Sequence, residues 1–162
     1  MVSITEYLPG IPHSYWIDFV QSIEPTHPKI IKAGQSDVQL LSGTITNRRG
    51  LILETLLNSS SPDMLFTIQS DDRKISGTIQ NLYDGGYTSY IPNVPFLSQY
   101  DSTTDDYVLN LITTLPFNHD VYLYVSNPTT TDMVISGMIF HAVIFNKGFY
   151  TQLAKLISGI EN

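Results

Sequence analysis

The feature that most constrains this chain is a succession of short runs rich in Val, Ile, Leu, Thr, Phe and Tyr, near residues 37–46, 50–58, 63–69, 73–82, 106–115, 119–126 and 132–146. Turn residues separate them: NRRG at 47–50, NSSSPD at 58–63, SDDR at 70–73, PFNHD at 116–120 and SNPTTTD at 126–132. Short runs at this spacing, with no helical stretch between most of them, predict antiparallel strands stacked as a sandwich or closed as a barrel. The chain is therefore expected to be all-β. Its 162 residues suffice for one domain with a full hydrophobic core, so no disulfide or structural metal is needed.

Within these runs LSGTITN at 41–47 returns as ISGTIQN at 75–81, and a shorter echo, ISGMIFH, lies at 135–141. Side chains alternate along a strand, so each copy would set an apolar residue, the glycine and a second apolar residue on one face: Leu41, Gly43, Ile45; Ile75, Gly77, Ile79; Ile135, Gly137, Ile139. A strand glycine marks a bulge, a bend or a bulky neighbour over the backbone. The offsets do not share one period and the flanks differ, so the echo reads as strand grammar rather than as a repeat or a ligand motif.

The ends of the chain follow another rhythm. The residues before Pro12 read as an extended arm. In HSYWIDFVQSIE, Trp16, Val20 and Ile23 fall at i, i+4 and i+7, which predicts a short helix. After Gly148, Phe149, Leu153, Leu156 and Ile160 fall at i, i+4, i+7 and i+11 and predict an amphipathic helix over 148–161. A helix that short is not stable alone in water, so its apolar stripe must dock on this domain or on a neighbour. The single domain thus divides into an arm and short helix (1–36), a sandwich (37–146) and the end helix (148–161).

Two strands, VYLYV at 121–125 and MVISGMIFHAVIF at 133–145, are apolar on both alternate faces. Something must cover the second face. The plain reading is a central position in the sandwich or cover by the terminal helices; the sharper one is a contact with another subunit. On that second reading Tyr122, Tyr124, Phe149, Leu153, Leu156 and Ile160 are the candidate oligomer interface.

No residue pattern points to catalysis. Cysteine is absent, which removes thiolate nucleophiles, cysteine-bound zinc and disulfides together. The serines lie in strands and turns without a GxSxG elbow, and His13, His27, His119 and His141 have no spaced partner for a triad or a metal. His119 reads as an exposed turn residue beside Asp120, His141 as a hydrogen-bonded core or interface histidine. Asp71-Asp72 and the set Asp101, Asp105, Asp106 could offer oxygens to calcium, but the DxDxDG pattern is missing and solvated loop tips are the simpler account. No catalytic residue, metal or cofactor is assigned.

The most distinctive surface stretch is NLYDGGYTSYIPNVPFLSQYD at 81–101, a long loop or irregular strand between the halves of the sandwich. Tyr83, Tyr87, Tyr90 and Tyr100 within it give amphipathic contact area at low entropic cost, suited to a protein partner or to stacking on a sugar. The alternative is that they pack on their own sandwich and close one end of it.

Charge excludes some partners. Eight basic against fifteen acidic residues give a net charge of −7, and the only adjacent basic pairs are Arg48-Arg49 and Arg73-Lys74, which argues against a phosphate-tracking groove for nucleic acid. No signal-peptide pattern and no apolar run long enough to span a bilayer is present, so the product is expected to be soluble, in an undetermined compartment. Charged residues make up only 14% of the chain, against roughly 25% in common soluble domains, with Ser, Thr, Asn and Tyr in their place.

Arm, short strands, low charge, absent cysteine and the passage LPFNHDVYLYVSNPTTTDMVISGMIFHAVIF at 115–145 together resemble the jelly-roll or β-sandwich structural proteins of virions, including phage coat, decoration and spike subunits. The resemblance spans about two-thirds of the chain and carries no catalytic or binding motif, so no site residue is transferred by it. It implies a jelly-roll-like antiparallel sandwich in a virion. It also implies a non-enzymatic subunit that assembles with itself, as a homo-oligomer, or with other structural proteins through apolar faces and terminal segments. The competing expectation is a carbohydrate- or receptor-binding module that uses the tyrosine-rich loop on a glycan.

Overall fold

A computed structural model describes residues 15–42, 45–89, 95–146 and 148–160, apart from the side chains at 156 and 160. The arm before Pro12, Gly43 and Tyr90 lie outside the described residues. The elements run β1 (Trp16–Ile23), β2 (Lys29–Ile31), β3 (Val38–Gln39), β4 (Gly50–Ser59), β5 (Leu65–Ser70), β6 (Arg73–Thr78), α1 (Ile79–Asp84), β7 (Phe96–Asp101), β8 (Asp106–Leu111), β9 (Leu115–Phe117), β10 (Val121–Ser126), β11 (Met133–Phe145) and α2 (Phe149–Ile160).

They form two antiparallel sheets. The larger has the order β1-β11-β4-β8-β7, with β2 also on β11 and β9 also on β4; the smaller has the order β3-β10-β5-β6. Taken in chain order, the main strands β1, β3, β4, β5, β6, β8, β10 and β11 nest in antiparallel pairs: first with last, second with seventh, third with sixth, fourth with fifth. Successive pairs alternate between the sheets. A long two-stranded ribbon rolled up in this way is the jelly roll. The core lies between the sheets, with Ile52, Leu57, Leu109, Met138 and Phe140 of the larger packed toward Phe66, Ile68, Leu123 and Val125 of the smaller.

Residues 16–23, expected as a helix, are a strand. All eight pair with β11, from Trp16 opposite Phe145 to Ile23 opposite Met138. The apolar residues at 16, 17, 19, 20 and 23 fit period 2 as well as period 3.6, and β-branched and aromatic residues in a short segment favour the pleated state once a partner exists. The 13-residue strand β11 supplies that partner.

The glycine echoes also resolve. In the second copy the strand stops at Thr78, whose hydroxyl accepts the Asn81 N–H and caps α1, so Ile79 is the first helical residue rather than a strand neighbour of Gly77. The Phe66 ring covers Gly77. In the third copy the register shifts between Ile135 and Gly137, a bulge that leaves Ser136 as the extra residue. Ile135 and Met138 therefore enter the core while Ile139 turns outward, and the shared apolar face expected of Ile135, Gly137 and Ile139 does not form.

Candidate functional site

The stretch 81–101 is shorter as a loop than expected, because α1 opens it and β7 closes it. Tyr83, on the last turn of α1, and Tyr100, on β7, line one cleft of about 580 Å³ together with Gln99, Asp101 and Val108. Tyr100 lies against Tyr107 across the hairpin, with ring centroids 5.0 Å apart, and its hydroxyl donates to Asp105 at 2.6 Å. That bond to a carboxylate raises the Tyr100 hydroxyl above its ordinary value. Tyr87 does a different job: its N–H donates to the Leu82 carbonyl, its own carbonyl accepts from Ser98, and its ring lies against Gly85. It closes the turn that holds α1 on β7.

The carboxylates at the tip of the β7–β8 hairpin each have a donor of their own. Asp101 accepts the Thr103 N–H, Asp105 the Tyr100 hydroxyl and Asp106 the Ser136 hydroxyl. Among the described residues no cluster of three or more His, Asp or Glu converges in metal-holding geometry. His141 is buried in β11, with Nε2 2.9 Å from the Asp18 carboxylate on the neighbouring strand.

The proposed interface residues lie in two places. Tyr122 and Tyr124 stack at 5.7 Å on the outer face of the smaller sheet, in register with Gln69 and Thr67. That face of β10 is thus two half-buried tyrosines among polar neighbours. The second apolar face of β11 is covered in part within the chain. Helix α2 lays Phe149 and Leu153 on the outer side of the larger sheet, in a cluster with Trp16, Leu53 and Val143. Phe149 stacks on Phe145 at 3.8 Å. A second register shift, where the partners of His141 and Ala142 jump from Glu54 to Ile52, makes Leu53 the extra residue on its strand; its side chain joins this outer cluster. The side chains of Leu156 and Ile160 lie outside the described residues.

The described side chains of α2 that join the cluster, Phe149 and Leu153, cover one end of that face. Pair registers put Val20, Ile30 and Ile139 on the same outer side, beyond the Trp16–Val143–Phe149 cluster, and all three are exposed at 46%, 54% and 39%. Among the described residues β1 is moreover an edge strand.

A further cleft, of about 590 Å³, escapes the sequence reading altogether. Arg48 and Arg49 reach it from the turn before β4, Asn118 and His119 from the turn before β10, and Tyr150 from the first turn of α2. The signal was present in part: NRRG holds one of the two adjacent basic pairs, and NRRG and PFNHD are both turns. Only the rolled topology brings those turns together. Backbone bonds then fix them, Arg48 N–H to the His119 carbonyl at 3.1 Å and Phe145 N–H to the Arg49 carbonyl at 2.8 Å.

Asp71 anchors the same corner. Its carboxylate accepts the N–H groups of Asn118, His119 and Asp120 at 2.7–3.1 Å. Partial burial alone would raise its pKa, but these three bonds outweigh it and hold the group below 3.8.

Among the described residues no helix is long and apolar enough to cross a membrane. The chain matches no protein-family model and no curated protein.

Proposed function

We propose that this chain is a non-enzymatic structural or assembly subunit, of the virus or phage particle type, that associates with copies of itself or with another structural protein. The observation that carries the reading is the half-covered outer face of the larger sheet. Phe149 and Leu153 of α2 cover one end of it, while Val20 on the edge strand β1 and Ile30 and Ile139 on the same face stay exposed. Apolar residues gathered on one sheet face next to an open edge are a docking surface by chemistry, since a partner gains both apolar burial and strand hydrogen bonds there. Asp18, exposed on the same edge strand, limits indiscriminate pairing. Jelly rolls build capsids and lectins alike, so the fold agrees with the reading without selecting it.

The test is a charge placed in the patch. The double variant Val20→Glu, Ile139→Glu alters exposed side chains only, so it should fold with an unchanged circular dichroism spectrum. Sedimentation equilibrium should show the parent chain as an oligomer and the variant as a monomer. Equal masses for the two would refute the reading.

One observation favours a second reading, a carbohydrate- or receptor-binding module: Tyr83 and Tyr100 share a cleft with Gln99 and Asp101, a mixture of rings and polar groups that suits a sugar. Glycan-array binding that disappears in Tyr83→Ala, Tyr100→Ala would support it, and a blank array at high protein concentration would remove it.

A further inference from the structure

The cleft between the turns at 47–49 and 118–119 is a small-anion site, and we infer that its ligand is a carboxylated pyranose, a sugar ring bearing one negative charge. The inference is independent of the assembly reading and of the tyrosine cleft, which lies on α1, β7 and β8.

Four observations carry it. First, Arg48 and Arg49 both line a single concave site in a chain with only eight basic residues and a net charge of −7. Among the described residues neither guanidinium has a carboxylate within ion-pair distance, whereas Lys32 is paired with Asp132 at 2.8 Å. Asp71 and Asp120, the acids of the neighbouring turns, are not in the lining. A guanidinium fork matches a carboxylate in shape as well as in charge.

Second, the cations stand on a fixed frame. The Arg48–His119 and Phe145–Arg49 backbone bonds tie three segments together, and Asp71 pins the 118–120 turn through its N–H groups. A preformed site avoids part of the ordering cost of binding. Third, Asn47 and Asn118 add side-chain amides that no described group hydrogen-bonds. An amide both donates and accepts, so it complements hydroxyl groups; an inorganic phosphate dianion has a single P–OH donor and cannot match both amide oxygens, whereas a sugar ring carries several hydroxyls. Fourth, Tyr150 and Phe145 form an apolar wall, with the Arg49 guanidinium 5.3 Å from the Tyr150 ring centre. Such a wall receives the C–H face of a sugar ring.

Size and charge set the limits. About 590 Å³ suits a single ring. Two arginines can neutralise one carboxylate, but the acidic remainder of the chain repels a polyanion such as a nucleic acid or a sulfated polysaccharide.

The experiment is an NMR titration of the full chain with methyl β-glucuronide, methyl β-glucoside and inorganic phosphate in parallel. The two glycosides share a ring and differ in the carboxylate. Saturable shifts at the amides of 47–49, 118–119 and 148–150 with the glucuronide, at least tenfold weaker binding of the glucoside and of phosphate, and at least a tenfold loss in Arg48→Gln, Arg49→Gln are the expected result. These side chains are exposed, so the variant should keep the parent spectrum elsewhere. Absence of saturable shifts, equal binding of glucoside and glucuronide, tighter binding of phosphate, or unchanged affinity in the variant would each overturn the inference.

Discussion

Asp71 shows how much one residue does in this fold. It sits at φ 55°, a left-handed conformation that Asn tolerates at least as well as Asp. Asp71→Asn should therefore keep the hairpin; it loses the charge on the N–H bonds and, with one acceptor oxygen in place of two, the Asn118 bond to Oδ2, a cost of about 1–2 kcal/mol. The sign of its pH dependence follows from the lowered pKa. The stabilisation is complete above the unfolded value near 3.8 and is lost as pH falls through the folded value. Urea midpoints of parent and variant should thus differ at neutral pH and converge in strong acid; a difference that persists there would contradict this role. Asn127 is the buried counterpart, 1% exposed, bonding the Ile31 and Thr131 carbonyls and accepting from Thr129. Asn127→Ala should cost about 2 kcal/mol or more, read as a shift of the urea midpoint, because it leaves those groups to be satisfied elsewhere. The sequence marks both residues only as members of turns. Their partners lie 47–49 and, for Ile31, 96 residues away, and no local pattern carries that information.

Elements were legible where one period had one reading. β4, β5, β10 and β11 lie where the short apolar runs between turn residues put them, and α2 begins after Gly148 as its apolar spacing predicts. β1 reads as a helix in the sequence because its apolar spacing satisfies two periods and only the partner strand decides between them. β2, at three residues, is too short for any periodicity, and of the run expected near 37–46 only the two residues of β3 form a named strand among the described residues. What α2 covers also needed the fold. With Phe149 stacked on Phe145 beside Trp16, Phe149→Ala should cost about 3–5 kcal/mol if α2 is docked on this sheet. Trp16 is the only tryptophan, so its fluorescence reports on that cluster directly. Its emission should move to the red in the variant, and an unchanged spectrum with unchanged stability would mean that α2 packs elsewhere.

At the scale of the whole molecule, the rolled ribbon explains why the sandwich class could be read and the arginine cleft could not. Alternation predicts which residues face inward, but the nesting of β1 with β11 and β3 with β10 decides which turns meet at one corner. The same topology leaves β1 at the sheet edge among the described residues, with Val20 on it and Ile30 and Ile139 exposed on the same outer face. If copies associate there, apolar burial at roughly 25 cal/mol per Å² drives the contact and the charge of −7 on each chain opposes it. Salt screens the repulsion, with a Debye length of about 10 Å at 0.1 M, so association should strengthen as salt is added. The most direct test is therefore the solution mass of the full chain by light scattering, over a concentration series at low and at raised salt. The account predicts a defined multiple of the chain mass that forms at lower protein concentration when salt is raised. A single-chain mass at every concentration and both salt levels, or complexes that dissociate as salt rises, would contradict it.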